Sequence, residues 1–434
     1  MIDYLKKAPK TSATDTSKTR AIVTEMLETI EAGGEDAARA YAESLDGWSG
    51  DIIVSPERMA EAATEVPQKL KDDIRFAHDN VRRFAEAQKA TLTDMQMEVI
   101  PGLIAGQRQI PVEAAGCYVP GGRYSHVASA IMTVTTAKVA GVRDITACSP
   151  TIPGQGIPAS ILYTLEICGA DRVLNLGGVQ GVAAMVYGLY GATPADIIVG
   201  PGNQFVAEAK RILFGRVGID MFAGPTDSMI LADETADAEM VAVDLVSQAE
   251  HGYNSPVWLA TTHRPLAEEV MARIPALIED LPELNGKNAA DAWRDYAEVM
   301  VCDTREEVAQ CADRVAPEHL SVQATDLDWW LERLQAYGSL FLGEETTVTY
   351  GDKCAGTNHV LPTNAAARYT GGLGVHKYMK TVTWQRATRE ANRALGPAAA
   401  RISRLERMEG HARAADVRMA KFFPGENFDL SAEG

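Results

Sequence analysis

The sequence predicts an α/β protein with two sheet-bearing domains and helical segments at both ends. Three observations carry that expectation. From Gln107 onward, short apolar runs alternate with stretches of helical periodicity, the pattern of βα units and of a mainly parallel sheet covered by helices. The alternation restarts at Ser228 and continues to Leu342. With 434 residues, 46% hydrophobic and 23% charged, the chain has the composition of a folded globular protein. At roughly 100–200 residues per domain, that length suits two to four domains.

Before Gln107 the chain reads mainly helical, over Thr19–Ala32, Glu35–Ser44, Ser55–Glu65 and Gln68–Ala87. Ser55-Pro56-Glu57 is a helix start, with serine as cap and proline in the first turn. Then come strands at Arg108–Glu113 and Ala115–Tyr118, a helix at Ser129–Ala140, a strand at Asp144–Ala147 and a helix at Ile157–Cys168. Strands at Arg172–Leu176 and Asp196–Val199 alternate with helices at Gln180–Tyr187 and Gln204–Leu213. The second run has strands at Ser228–Ala232, Pro256–Thr261, Tyr296–Val301 and Ser339–Leu342, with helices at Ala236–Ala249, Pro265–Ile278 and Arg305–Val315. The charged tail reads as helical, either a plain surface element or one that packs on a neighbouring subunit.

Composition excludes several function classes. Lys and Arg number 41 against 59 Asp and Glu, a net charge of −18, which argues against nucleic acid or an anionic membrane as the main partner. No apolar run approaches the roughly 18–20 residues of a membrane span. The opening MIDYLKKAPKTS has no apolar core after its lysines and does not read as a secretory signal. Cys117, Cys148, Cys168, Cys302, Cys311 and Cys354 form no C-x-x-C pair and read as reduced thiols, so a cytoplasmic location is expected.

Four stretches carry candidate chemistry. Gly200-Pro201-Gly202-Asn203 follows a strand and precedes a helix, where backbone N–H groups come close to a ligand. Phe205 occupies the place of the third glycine of a dinucleotide fingerprint, so the turn is either structural or a phosphate site. Gly177-Gly178-Val179-Gln180-Gly181 and Tyr118-Val119-Pro120-Gly121-Gly122 share that ambiguity, yet three such turns would line one edge of one parallel sheet, where ligands bind. Gln248 and His251, three apart at a helix end, share a face and are either metal ligands or a satisfied helix terminus. Ala316-Pro317-Glu318-His319-Leu320 reads as a helix start whose carboxylate and imidazole diverge, serving two proton transfers or merely capping. Gly351–Thr363, without regular period and rich in Gly, Asp, Asn and His, reads as a functional loop. His411, after Glu406 and Glu409, is a lone tail histidine.

Taken together these motifs resemble the histidinol dehydrogenase family, zinc-dependent, NAD-linked alcohol dehydrogenases. The matching stretches are YVPGG at 118, GPGNQFVAEAKR at 200, GIDMFAGPTDS at 218, SQAEH at 247, APEHL at 316 and AGTNHVLPT at 355, spread over nearly the whole chain. The resemblance implies a domain-swapped homodimer of two Rossmann-like α/β/α domains with incomplete fingerprints and small helical N- and C-terminal segments. Residues 1–13 would form an N-terminal segment, 14–117 with 227–375 the metal-bearing and catalytic domain, and 118–226 the NAD domain. Residues 376–434 would be a tail reaching the partner.

The resemblance also implies roles. Gln248, His251, Asp352 and His411 would hold one Zn²⁺ per subunit, with His411 supplied by the other subunit's tail. His319 would be the general base toward the alcohol, and Glu318 would activate water to hydrate the aldehyde. Tyr118, Gln180 and Asn203 match NAD-contacting positions; Thr226, His359 and Glu406 match substrate contacts. The chemistry would be a four-electron oxidation of a primary alcohol, through a bound aldehyde, to a carboxylate with two NAD⁺. Cys117 and Cys354 read as packing residues.

Several positions depart from the histidinol enzymes. Lys353 follows Asp352, Arg123 and His126 follow the first glycine turn, and Lys377 lies in a cation-rich stretch near Gly374. Such cations suit a small anion, to which they supply charge-assisted hydrogen bonds, better than a neutral or cationic imidazole amine. With the opening Tyr4-Leu5-Lys6-Lys7, they look like the sulfopropanediol 3-dehydrogenase branch, which oxidises the small anionic diol 2,3-dihydroxypropane-1-sulfonate to 3-sulfolactate. The alternatives are L-histidinol oxidation and a non-catalytic zinc- and nucleotide-binding relative.

Overall fold

Where apolar runs alternate with helical periodicity, the chain forms strands and helices in turn. The structure is a computed structural model describing residues 2–10, 17–121, 126–222 and 224–431. It opens with β1 (Ile2–Lys6), α1 (Ser17–Tyr41), α2 (Pro56–Glu65), α3 (Gln68–Thr91), the hairpin β2 (Met95–Ile100) and β3 (Leu103–Pro111), and β4 (Ala114–Tyr118). Next come α4 (Val127–Ala130), joined by a π-turn to α5 (Thr136–Ala140), then β5 (Asp144–Cys148), α6 (Ala159–Cys168), β6 (Arg172–Leu174) and α7 (Gly178–Tyr187). β7 (Ile197–Val199), α8 (Gln204–Leu213) and β8 (Gly218–Ile219) complete the first run. The second holds β9 (Ser228–Ala232), α9 (Ala238–Ala249), β10 (Val257–Thr261), α10 (Arg264–Glu279), α11 (Glu283–Tyr296), β11 (Glu298–Cys302) and α12 (Arg305–Val315). It continues through β12 (His319–Gln323), α13 (Leu327–Arg333), β13 (Ser339–Leu342) and α14 (Val348–Lys353); β14 (Met379–Ala387), α15 (Asn392–Leu405) and α16 (Glu409–Phe422) close the chain.

These elements fall into two units. The larger spans Met1–Lys89 and Val112–Tyr378 and contains two sheets. One has five parallel strands in the order β6-β5-β4-β7-β8. The other has the order β1-β11-β10-β9-β12-β13, parallel except for antiparallel β1 on its edge. In each, the first strand of the run is central and the strand order reverses beside it, the doubly wound arrangement. The pleat explains why β9 is apolar throughout. Met229 and Leu231 face the core under α12 and α13, whereas Ile230 and Ala232 face α9, α10 and α11. On one face of the five-stranded sheet, α1, α7 and α8 enclose a core that includes Val23, Ile30, Val182, Ile198 and Leu213.

The smaller unit spans Ala90–Pro111 and Met379–Gly434. It holds an antiparallel sheet, β14-β3-β2, and the packed helix pair α15 and α16.

Several expectations need correction. Residues 1–13 were expected as a separate segment, but Ile2–Lys6 forms the edge strand of the six-stranded sheet. The boundary expected between 117 and 118 cuts through β4, the central strand of its sheet. Two helices before it, expected with the catalytic domain, lie instead with the five-stranded sheet: α1 packs on α7 and α8, and α2 on α6. α3 does reach the expected catalytic domain, where Asn80 Nδ2 donates to the Cys354 carbonyl at 2.9 Å. The tail is not wholly helical, because Met379–Ala387 pairs with β3 over its whole length. Finally, Glu318 and His319 do not start a helix. Ala316 ends α12 in a left-handed conformation (φ 52°), Pro317 has no N–H to offer, and His319 opens β12.

Candidate active site

The site is built where the amino ends of β9 and β12 meet. These strands are parallel neighbours with Ser228 opposite His319, which places Asp227 beside Glu318. The two acids lock reciprocally. Asp227 Oδ1 accepts from the Glu318 N–H at 2.7 Å, and Glu318 Oε2 accepts from the Asp227 N–H at 3.3 Å. The Asp227 carbonyl accepts from the His319 N–H and faces His319 Nδ1, both at 3.3 Å. Asp227 Oδ2 accepts from the Asn364 N–H at 3.2 Å, tying in the loop beyond α14. Sequence reasoning missed Asp227. It lay inside a recognised motif, but its partners are about ninety positions away.

With Nδ1 turned to a carbonyl, His319 presents Nε2, which is buried, lacks a hydrogen-bond partner and lies 3.4 Å from Asp352 Oδ1. Burial raises the Glu318 carboxyl, although His319 opposes it. Burial alone would lower His319, but the charges of Glu318 and Asp352 raise it instead. Burial raises Asp227 to about 6 against the pull of its hydrogen bonds. Burial would likewise raise Asp352, yet His319, His359 and Lys353 hold it at about 2, a carboxylate.

α9 runs back from the carboxyl end of β9 and delivers Gln248 and His251 to the same edge. His251 Nδ1 donates to the Gln248 carbonyl at 3.2 Å, leaving Nε2 as the free ring nitrogen. Gln248 is buried, and its Oε1 has no partner. His251 feels the charge of Asp352. An orphaned amide oxygen, a neutral imidazole and a carboxylate fit a zinc ion, whose ligating histidines typically donate the second ring nitrogen to a carbonyl. Among the described residues no three His, Cys, Asp or Glu side chains gather as a metal cluster.

Around this set, His359 Nδ1 donates to the Asp352 carbonyl at 2.8 Å, and its Nε2 meets Ser129 Oγ at 3.0 Å. Both nitrogens are engaged, so His359 ties the Asp352 turn to α4. Lys353 is exposed at the end of α14, and its charge acts on His126, His251, Asp352 and His359. His126 is the residue before α4. Thr226 is half-buried beside Asp227. Lys377 lies in the 3-10 turn Val375–Tyr378, and its charge is felt at His376. Arg123 lies outside the described residues.

The glycine turns all sit at the carboxyl edge of the five-stranded sheet, beyond β4, β6 and β7. Tyr118 is buried, and its hydroxyl oxygen accepts from the Gly178 N–H at 3.1 Å. Gln180 Nε2 donates to Asp46 Oδ2 at 2.9 Å while its buried Oε1 has no partner; Asp46 also accepts from the Gly177 N–H. Asn203 Oδ1 caps α8 through the N–H groups of Phe205 and Val206. Gly200 has φ 113°, and a Cβ there would lie 2.0 Å from the Tyr118 carbonyl oxygen, so only glycine fits. Cys117 is fully buried and its thiol is pushed up to about 12, as befits packing. In the smaller unit, Glu406 follows α15, His411 lies on the first turn of α16, and both are exposed.

Comparison with known proteins accords with this geometry. The family model described as histidinol dehydrogenase matches residues 9–419. A sulfopropanediol 3-dehydrogenase of Ruegeria pomeroyi is 67% identical, covering 100% of both chains. A histidinol dehydrogenase of the same organism is 36% identical over 93% of each chain. The crystal structure of histidinol dehydrogenase from Elizabethkingia anophelis superposes with a TM-score of 0.89 at 32% identity, covering 96% of this chain and 94% of that one. A match over nearly the full length, in sequence and in fold, makes this chain an oxidoreductase that belongs to the histidinol dehydrogenase family.

Proposed function

We propose that this chain oxidises 2,3-dihydroxypropane-1-sulfonate to 3-sulfolactate, a four-electron oxidation of a primary alcohol with two NAD⁺. The observation that carries the substrate is the contrast within one organism. Identity is 67% to the Ruegeria pomeroyi protein named for sulfopropanediol and 36% to the one named for histidinol. Lys353 supports it physically, as an exposed ammonium next to Asp352 with no ion-pair partner among the described residues. A sulfonate there gains charge-assisted hydrogen bonds that histidinol cannot use. His126, Lys377 and Arg123 are further candidate contacts for the sulfonate, and Thr226, His359 and Glu406 for the diol.

Gln248, His251 and Asp352 would hold zinc, and His411 of the partner subunit would complete the set in a homodimer. Zinc, when bound, orients and polarises the alcohol oxygen and offsets the carboxylate field that raises His319. His319 takes the alcohol proton at Nε2, because Nδ1 faces the Asp227 carbonyl. Glu318, buried and held by Asp227, takes a proton from the water that adds to the aldehyde. Tyr118, Gln180 and Asn203 border the crevice at the β4/β7 reversal, where the nicotinamide cofactor would dock. The net charge and the scattered free cysteines suit a cytoplasmic enzyme of small molecules rather than a binder of nucleic acid or membrane.

The test is NADH formation by zinc-loaded enzyme on the sulfonate diol and on L-histidinol at equal concentrations. Turnover of the diol with two NADH per molecule is expected. Preferential turnover of histidinol overturns the substrate, and no turnover of either favours the non-catalytic alternative.

A further inference from the structure

The turn beyond β7 is held by a charge pair that the chemistry above leaves without a role. Lys210, on α8, is 3% exposed and Asp220, just after β8, is 1% exposed. Their side chains form an ion pair, Lys210 Nζ to Asp220 Oδ1. Both ends of this pair grip one residue. Lys210 Nζ donates to the Gly200 carbonyl at 3.0 Å, and Asp220 Oδ2 accepts from the Gly200 N–H at 2.7 Å. Asp220 Oδ1 also accepts from the Met221 N–H at 2.7 Å.

A buried ion pair is a poor source of stability, because desolvating two charges offsets most of their attraction. Apolar side chains of similar volume would fill the space at least as well. What the pair does that apolar groups could not is fix the orientation of both peptide groups flanking Gly200. That backbone needs fixing. Its φ of 113° is open to glycine alone, and glycine is also the residue with the most freedom to leave it. On its other side Gly200 abuts the Tyr118 carbonyl, so the pair and β4 clamp the turn from opposite directions.

We propose that Lys210 and Asp220 are positioning residues for the cofactor. They hold the Gly200–Asn203 turn in its binding shape before the cofactor arrives. The inference rests on the reading that the nicotinamide cofactor docks at the carboxyl edge of the five-stranded sheet. Its consequence is a split between binding and chemistry. A loosened turn must be ordered by the cofactor on binding, which weakens affinity, while the amino ends of β9 and β12 are untouched.

The decisive variant is the double substitution Lys210→Met with Asp220→Leu, which removes both charges and orphans neither. In zinc-loaded enzyme, NADH titration by fluorescence should show Kd raised by about tenfold or more (~1.4 kcal/mol). KM for NAD⁺ should rise in parallel and kcat at saturating NAD⁺ should stay within about threefold, even though the melting temperature falls as the Gly200 and Met221 backbone groups lose their partners. A lowered melting temperature with NADH affinity unchanged would mean a structural pair only and would overturn the proposal. A second measurement needs no variant. Hydrogen exchange of the wild-type enzyme should show the segment around Gly200 equally protected with and without NADH. Protection that appears only with NADH also overturns it. Asn203→Ala separates the two readings. If it weakens NADH binding and the double variant does not, the proposal alone fails; if neither does, the cofactor site itself is misplaced.

Discussion

Replacing Asp227 by alanine should damage catalysis far more than it damages the fold. The side chain accepts from two backbone N–H groups, the buried one of Glu318 and the part-buried one of Asn364. Leaving each without a partner costs about 1–3 kcal/mol. Against that, the carboxyl is raised from 3.8 to about 6, so the wild-type protein keeps an unfavourable buried charge at neutral pH. At ~1.4 kcal/mol per pH unit, removing it returns about 3 kcal/mol. The net change then runs from ~1 kcal/mol gained to ~3 kcal/mol lost, which a domain of ordinary stability survives. Catalysis has no such compensation. Glu318 and His319 lose the contact that sets the entry to β12, and displacements of about 1 Å can cost on the order of a hundredfold in rate. A group whose pKa is raised on folding contributes stability at low pH that is lost as pH rises through the folded value. The Asp227 share should therefore disappear between pH ~4 and ~6, and the variant should show a flatter dependence there. The assay is steady-state NADH formation at saturating substrate beside denaturant melts at several pH values. A variant with kcat within about threefold of wild type, or with unchanged pH dependence of stability, refutes the reasoning.

Two further outcomes follow from the metal and substrate groups. Asp352→Ala removes the carboxylate of the proposed zinc set, so bound zinc measured by atomic emission after dialysis should fall well below one per chain. Full retention would show that Asp352 is not a ligand. Lys353→Met should raise KM for the sulfonate diol by roughly 10–100-fold, the value of a hydrogen bond to a charged group, without raising KM for histidinol. Equal changes for both substrates would place Lys353 outside the substrate's reach.

The βα alternation was legible because strands of a parallel sheet, buried on both faces, read as unbroken apolar runs such as Ser228–Ala232 and Val257–Thr261. β12 was not. Its entry carries Pro317, Glu318 and His319, and a helix start uses the same residue types. β2 escaped although Met95-Gln96-Met97-Glu98-Val99 alternates apolar with polar residues; in the structure five of its six residues are exposed. The placement of β1 depends on pairing with β11, almost three hundred positions away. The site shows the same division. Gln248 with His251 and Glu318 with His319 are local patterns, recognisable as motifs. Asp227, Lys210, Asp220 and Asp46 act through backbone groups brought near by strand order, and no local spacing announces them.

The two sheets share one strand order but offer opposite ends to chemistry. The five-stranded sheet presents the carboxyl ends of its strands, with the glycine turns that a nucleotide needs. The six-stranded sheet presents amino ends, where Asp227, Glu318 and His319 lie. Its own carboxyl-end crevice, between β9 and β12, is bridged by protein. Asp233 accepts from the N–H and hydroxyl of Thr235 and from those of Thr325 across the reversal point. Beside it Gln323 donates to Asp244, which also accepts from Thr347. A dinucleotide entering there would have to displace these hydrogen bonds, which is costly, although the Gln323 Oε1 has no partner. On the proposed reading one crevice among the described residues is left for the cofactor, although the four-electron oxidation would consume two NAD⁺. On that reading the two hydride transfers would use the crevice in succession, with NADH leaving between them while the aldehyde stays bound. Calorimetric titration of the zinc-loaded enzyme with NADH should give one site per chain. A stoichiometry of two would mean that the second crevice opens and that both cofactors can be held at once.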